Sequence, residues 1–343
     1  MVRAFNLPET KGNFKASGIV TGKEKDKFFQ QTVTKTNKNR NVLKFGVKTS
    51  EDNTMYLELS GMIKDEVYFS KKDKDTGKYI SKKVKWADRK TFKEEGYKIM
   101  GVHVGIEQQT DDKGKLENKK KVLAEFDACE YASVHLKDDM EVFVRGKIEF
   151  SSFANDKGDI TRMTKFVPNQ ISRLSSSLDF KAEGFKEQCD FEQTIIFIGI
   201  DKDPEDGSRF LIQAKVVTYN SIEDVEFVTT NTKLATTFKK NLKPYNAIKV
   251  FGNIVNKALK EEVEQDDAWG EPNPMDQTGN SYIRELTIIG ANKETLDTET
   301  YTQETVDEAL QAIREFGGLN TNTKASSTDD GDWGATEEEE GWN

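Results

Sequence analysis

Several short runs of this chain carry a hydrophobic residue at every second position. Leu43, Phe45 and Val47 alternate with Lys44, Gly46 and Lys48, and Met55, Leu57 and Leu59 alternate with Tyr56, Glu58 and Ser60. A period of two sends successive side chains to opposite faces, so both runs are expected to be strands with one buried and one wet face. Residues 16–22, 101–106, 122–126 and 164–171 read as further strands, and a short helix is expected near 128–137. The order then recurs. Residues 194–199, 209–218 and 223–230 read as strands, and Leu234, Ala235, Phe238 and Leu242 mark one face of a helix. Two more strands are expected at 248–254 and 282–291.

One phrase ties the halves together. Leu136-Lys137-x4-Val142-x-Val144-x-Gly146-x-Ile148 returns 106 residues later as Leu242-Lys243-x4-Ile248-x-Val250-x-Gly252-x-Ile254. It reads as a helix end feeding a strand that must bend at a glycine, as the corner of a small closed barrel requires. Strand, strand, strand, helix, strand, strand is the order of a five-stranded Greek-key barrel, here expected twice. Residues 63–96 look like an insertion into the first barrel, a hairpin turning at Asp75-Thr76-Gly77.

At 343 residues the chain has room for two such units. Its net charge of -9 conceals a division: residues 1–173 carry 35 Lys+Arg against 26 Asp+Glu, and residues 174–343 carry 16 against 34. A basic front half points to a polyanion partner, with solvated lysine loops as the plain alternative. Cys129, Cys189, His103 and His135 share no metal-ligand spacing, so no zinc or other cofactor is expected, and the two cysteines read as reduced thiols. No apolar run approaches the roughly 20 residues of a membrane span, and the start lacks a signal-peptide core. A soluble, cytoplasmic protein is expected. No nucleophile constellation, paired acids or phosphate loop is present, which argues against an enzyme.

The segment from Val142 through Gly146 to Ile148, then Asn155-Asp156-Lys157-Gly158, then Arg162 and a closing apolar strand, resembles the fourth and fifth strands of OB-fold single-stranded DNA-binding proteins. The second half is similar over 248–254 and 279–291, with an acidic insertion at 261–267. The resemblance is to the bacteriophage type with two tandem OB barrels. It implies a mainly β chain of two OB-type barrels, at 1–172 and 188–295, joined by a linker at 173–187. A helix within 296–318 follows, marked by Val306, Leu310 and Ile313 and closed by Gly317-Gly318, and then a disordered tail at 319–343.

OB barrels bind nucleic acid on the outer face of strands two and three and with the loops joining strands 1–2 and 4–5. That placement nominates Arg40, Lys44 and Lys48 on strand two and Tyr56 on strand three. It adds Lys23, Lys25, Lys27, Phe28, Phe29, Lys35 and Lys38 from the first loop, and Phe153 and Lys157 from the last. Arg145 and Lys147 project opposite Val144 and Ile148. Cations track phosphates and exposed rings stack on bases, which needs no sequence reading. The insertion holds 11 Lys+Arg against five Asp+Glu over 64–93 and contributes Tyr68, Phe69, Lys71, Lys72, Tyr79, Lys83 and Trp86. It reads as a clamp on a flexible strand, or as an arm packed on its own barrel or on a second copy. Phe28-Phe29 likewise reads as a stacking pair or a staple onto the barrel, whereas Phe45, Phe166 and Phe210 read as core.

The last stretch carries Asp329, Asp330, Asp332, Glu337, Glu338, Glu339 and Glu340 with Trp333 and Trp342 and no cation. It resembles the partner-recruiting tail of bacterial and phage single-stranded DNA-binding proteins, although it closes on Gly341-Trp342-Asn343 and not on Pro-Phe. A purely solubilising tail is the alternative. The expected partners are therefore single-stranded DNA and, through the tail, replication, recombination or repair proteins, in a bacterial host if the chain is phage-encoded. An RNA-binding protein and a structural β-barrel adaptor of a virion or other assembly are the other readings.

Overall fold

The computed structural model describes residues 3–110, 114–154, 159–258 and 282–318. The chain is mainly β, and thirteen of its strands belong to one continuous sheet. The front half opens with β1 (Gly12–Thr21), β2 (Phe29–Val33), β3 (Asn39–Lys48) and β4 (Thr54–Met62). The insertion supplies β5 (Glu66–Lys72), β6 (Tyr79–Lys85) and β7 (Lys98–Ile99). Short strands β8 (Val102–Gly105), β9 (Gln108–Thr110), β10 (Leu116–Asn118) and β11 (Lys121–Leu123) lead to α1 (Glu125–His135), β12 (Glu141–Ala154) and β13 (Ile160–Arg173). The rear half comprises β14 (Cys189–Lys202), β15 (Phe210–Val217), β16 (Ile222–Thr229), α2 (Thr232–Asn241), β17 (Ala247–Ala258) and β18 (Tyr282–Asp297), followed by α3 (Gln303–Gly318).

Pairing closes each half on itself. In the front half β1 pairs β3, β3 pairs β4, β4 pairs β13, β13 pairs β12, and β12 returns to β1. In the rear half β14, β15, β16, β18 and β17 form the same circuit. The third and fifth members run parallel in both, at Phe166 beside Leu57 and Thr287 beside Val228, and the other neighbours run antiparallel. This is the strand order expected from the succession of alternating runs along the chain. The alternating residues behave as their period demands: Leu43, Phe45, Val47, Met55, Leu57 and Leu59 are all buried.

The glycine of the phrase has a visible cause. The β12–β13 register slips between Arg145 and Gly146, and the β17–β18 register slips between Phe251 and Gly252. A Cβ on Gly146 would lie 2.0 Å from the Val167 carbonyl oxygen, and one on Gly252 would lie 1.9 Å from that of Thr287. Each glycine therefore lets the partner strand press against the bulge that turns the barrel corner.

Several boundaries differ from the sequence reading. The polar stretch after β1 contains β2, which zips onto β3 from Phe29 beside Leu43 to Val33 beside Asn39. The helix begins at Glu125 and takes Glu125 and Phe126 out of the expected strand at 122–126; Glu125 and Asp127 suit its first turn because acids favour the positive helix end. The insertion interrupts the third strand: β13 pairs β4 and then, in the same sense, β8, which continues where β4 leaves off. The helix at the rear runs through Gly318 and does not stop before the glycine pair. The segment before β1, which gave no pattern, also has a place. Phe5 and Leu7 pack with Tyr301, Val306 and Ala309 against Ile196, Val217 and Ala247, so the chain start and α3 close over the rear barrel.

The barrels meet edge to edge, with β1 paired to β14 from Gly12 beside Gln193 to Ala16 beside Cys189. One hydrophobic core runs through both, and Phe227 of the rear barrel lies against Phe150 and Phe191 at 6.5 and 6.0 Å between ring centres. Cys129 and Cys189 are both buried free thiols, and burial raises each to about 12.

Candidate nucleic-acid interface

Period-two alternation puts Lys44 and Arg40 of β3, and Tyr56 and Glu58 of β4, on one outer face of the front barrel. Their exposure is lower than a bare sheet would give, because the rear barrel covers part of the face. Glu58 gathers three cations: Lys165 of β13 at 3.3 Å, Lys44 at 3.4 Å and Arg40 at 3.9 Å. The cluster holds more positive than negative charge, and the carboxylate sets the spacing of the three cationic groups.

Two depressions meet at Glu58 and Lys165. One, of 600 Å³, is lined by Arg40, Ser60, Lys64, Met100, Lys147 and Glu149. The other, of 580 Å³, lies between the barrels and is lined by Lys44, Tyr56, Phe153, Arg162, Asn256 and Arg284, with Glu226 and Glu285 on the far wall. Phe153 is 48% exposed and free to stack. Arg284 lies 5.8 Å from the Tyr282 ring centre. Burial raises the Tyr56 phenol above its ordinary value, Tyr282 adds to the rise and Arg284 opposes it. Cations and rings thus line a path from Lys147 across Arg40, Lys165 and Lys44 to Tyr56, Phe153, Arg162 and Arg284.

The structure brings Arg40, Lys44, Tyr56, Lys147 and Phe153 together there and leaves other nominated residues elsewhere. Phe28 is a correction: it is buried at 6% exposure in the barrel core, and Phe29 packs half-buried against the same core. The pairing of β2 with β3 fixes Phe28-Phe29 over the barrel mouth as the staple, so neither is an open stacking platform. Lys23 is spent on the barrel, donating to the Leu136 carbonyl at 2.7 Å. Lys25 and Lys27 lie in the turn before β2; Lys35 and Lys38 lie at the turn into β3, where Lys38 pairs Asp65 at 3.0 Å. Lys48 stands at the end of β3 beside Thr54. Arg145 is exposed on β12 but lines a different hollow, with Phe143, Phe251 and Ile289. Lys157 and every nominated tail residue lie outside the described residues.

The insertion is also corrected in part. Phe69 is buried at 5% exposure, with Val67 and Val84, in a small core of its own that takes in Trp86, Phe92 and Tyr97. Arg89 docks this unit on α1, donating to both Asp127 oxygens at 2.7 Å while its guanidinium covers Trp86 at 3.9 Å from the ring centre. Burial pushes the Asp127 carboxyl up, but Arg89 outweighs it and holds the group below its ordinary value. Phe69 and Trp86 are therefore packing residues. The opposite face keeps Tyr68, Lys72, Tyr79 and Lys83 outward, with Tyr68 beside Lys83 and Lys72 beside Tyr79 across the hairpin; Lys71 turns to the Tyr97 ring, 4.6 Å away.

Lys165, Arg162, Arg284 and Tyr282 were not nominated from sequence. Their signal was present as cations and a ring on the fifth strand of each barrel, but only closure of the sheets brings them to the groove beside β4. Two other rear cations are engaged locally, Arg209 with Glu285 at 2.6 Å and Lys215 with Asp224 at 2.6 Å. Among the described residues no group of His, Cys, Asp and Glu is placed to hold a metal, and no described helix is long and apolar enough to cross a membrane.

A family model described as YorF matches residues 72–329. The sequence matches no curated protein. Among solved structures it is similar to the wild-type single-stranded DNA binding protein from Thermus aquaticus at 11% identity and a TM-score of 0.39, over 86% of this chain and 97% of that one. A deletion mutant of the same protein aligns at 12% identity and the same TM-score, over 86% and 98%. At such scores the barrel order rests on the strand pairings described above.

Proposed function

The chain belongs to the YorF family, and we propose that it binds single-stranded nucleic acid, single-stranded DNA above all, without sequence preference and without catalysis. The observation that carries this reading is the path of cations and rings over the front barrel and into the groove between the barrels. Lys147, Arg40, Lys165, Lys44, Arg162 and Arg284 would track phosphates, while Tyr56, Phe153 and Tyr282 would stack on bases. The outward Tyr68, Lys72, Tyr79 and Lys83 of the hairpin would hold a longer strand at its flank. The front barrel, 1–172, would do most of this work, with the rear barrel at 188–295 supplying the far wall. In the cell such a protein would coat exposed strands during replication, recombination or repair, and the acidic tail with Trp333 and Trp342 would recruit other proteins.

The test is titration of fluorescent oligo-dT at low salt. Salt-sensitive binding, weaker to duplex DNA of the same length, is expected from the release of counterions by a cationic groove. No anisotropy change at micromolar protein would overturn the reading. Competition between dT and rU strands separates DNA from RNA, since aromatic platforms by themselves accept both.

A further inference from the structure

Between the two barrels lies a buried polar cluster that neither the core nor the binding path explains. It sits where the turn from β3 to β4 meets β17. Asn53, 2% exposed, uses its carboxamide as a strand would use a peptide group. Its Nδ2 donates to the Ile254 carbonyl at 3.0 Å and its Oδ1 accepts from the Asn256 N–H at 2.7 Å, so one side chain brackets Val255 of the other barrel. Asn256 reciprocates, its Nδ2 donating to the Thr54 carbonyl at 2.7 Å. Glu187, from the segment between the barrels, accepts from Asn53 Nδ2 at 2.7 Å and from the Thr49 hydroxyl.

These bonds fix a register between β4 and β17 that no sheet pairing supplies beyond the single bridge of Asn53 to Lys257. The register matters because of what stands next to it. Tyr56 follows Thr54 by two residues and so projects from the same face of β4, and Asn256 is directly opposite Arg284 in the β17–β18 ladder. The lock therefore holds the front wall of the groove, Tyr56, against the rear wall, Arg284. Sliding β17 by one residue would exchange the faces of its side chains and remove Asn256 from the groove.

We propose that Asn53 and Asn256 are positioning residues that set the groove between the barrels, so that a long strand is bound by both walls as one site. Asn53 is buried beside the groove, which Asn256 itself lines. The inference rests on the functional reading above, and its test is built to fail separately. Oligo-dT of about 8 nucleotides fits what one OB-type barrel covers, and oligo-dT of about 30 must cross the groove. Asn53→Ala is expected to weaken binding of the longer strand about tenfold while leaving the shorter within about twofold, because loss of the register removes one wall only. Asn256→Ala should also weaken binding of the longer strand about tenfold, at less cost to the fold, since it removes a buried acceptor, Asn256 Oδ1, that has no partner among the described residues. Hydrogen exchange at the Asn256 amide, which loses its acceptor in Asn53→Ala, reports directly whether the lock has opened. Equal weakening on both lengths, or an opened lock with the longer strand bound as before, would overturn the proposal. Absence of binding to either length by the unaltered protein would instead remove the functional reading, and this inference with it.

Discussion

The two barrels share their corners and differ in their faces. Gly146 and Gly252 sit at matching bulges, each pressed by a partner carbonyl, and the same five-strand circuit closes around each. Outside that frame the copies part. Positions that carry Arg145 and Lys147 in the front barrel carry Phe251 and Asn253 in the rear. The outer face of β3 and β4 gathers three cations around Glu58, whereas β16 shows exposed Asp224 and Glu226, with Lys215 of β15 tied to Asp224. What is duplicated is the part that steric necessity holds in place. Surface charge, which the fold does not constrain, differs between the two faces among the described residues.

The comparison can be broken first at its shared part. Gly146→Ala and Gly252→Ala should each cost about 4 kcal/mol, because the new Cβ meets backbone that cannot yield without undoing the bulge. Equilibrium denaturation of each variant checks this, and the two losses should agree to within about 1 kcal/mol if the bulges do the same task. A neutral Gly252→Ala beside a damaging Gly146→Ala would mean that the rear barrel closes by other means.

A smaller effect tests the divergence. Tyr56→Ala should weaken oligo-dT binding about tenfold through the loss of one stacked base. Lys215→Ala in the rear barrel should change it by no more than about twofold, since Lys215 is already engaged by Asp224 on the surface of the rear sheet and a partly exposed pair of this kind contributes little. Anisotropy titrations at one fixed salt concentration compare the two. Equal losses would mean that both barrels present a face to the strand, and the front-rear distinction would go.

Much of this frame was legible before any coordinates. Period-two runs located Leu43 through Leu59, and the repeated phrase located the glycine corner of each half, because a strand that must turn a corner leaves few choices of residue. The binding face was legible only in part. Lys44 and Tyr56 followed from alternation, but Lys165, Arg162, Arg284 and Tyr282 come into place through parallel pairing of β4 with β13 and the approach of β17 to β4, both long-range events with no local pattern. The aromatic misassignments have one physical cause. Phe28, Phe69 and Trp86 lie among lysines in sequence, yet each finds apolar partners in space, and burial of a large ring outweighs its polar neighbours along the chain. The Asn53–Asn256 lock left no trace either, since asparagine in a turn is ordinary and its partner lies 203 residues away.

The finest test concerns Glu58, a carboxylate that opposes a polyanion in the proposed site. Its three cations are partly screened from solvent, with side-chain exposures of 12% for Lys44, 23% for Lys165 and 31% for Arg40. Unpaired, they would repel one another, so Glu58 holds them in position while the groove is empty. On the proposed reading, an arriving phosphate would compete with that carboxylate for the same donors. Glu58→Gln removes the competitor and keeps a side chain of the same size, so oligo-dT should bind about threefold more tightly and with a steeper salt dependence, as befits more cations released to the phosphates. The opposite outcome has a distinct meaning. If Glu58→Gln weakens binding, the carboxylate's ordering of Lys44 and Lys165 outweighs its competition with phosphate, and the strand meets a cluster whose geometry counts for more than its net charge.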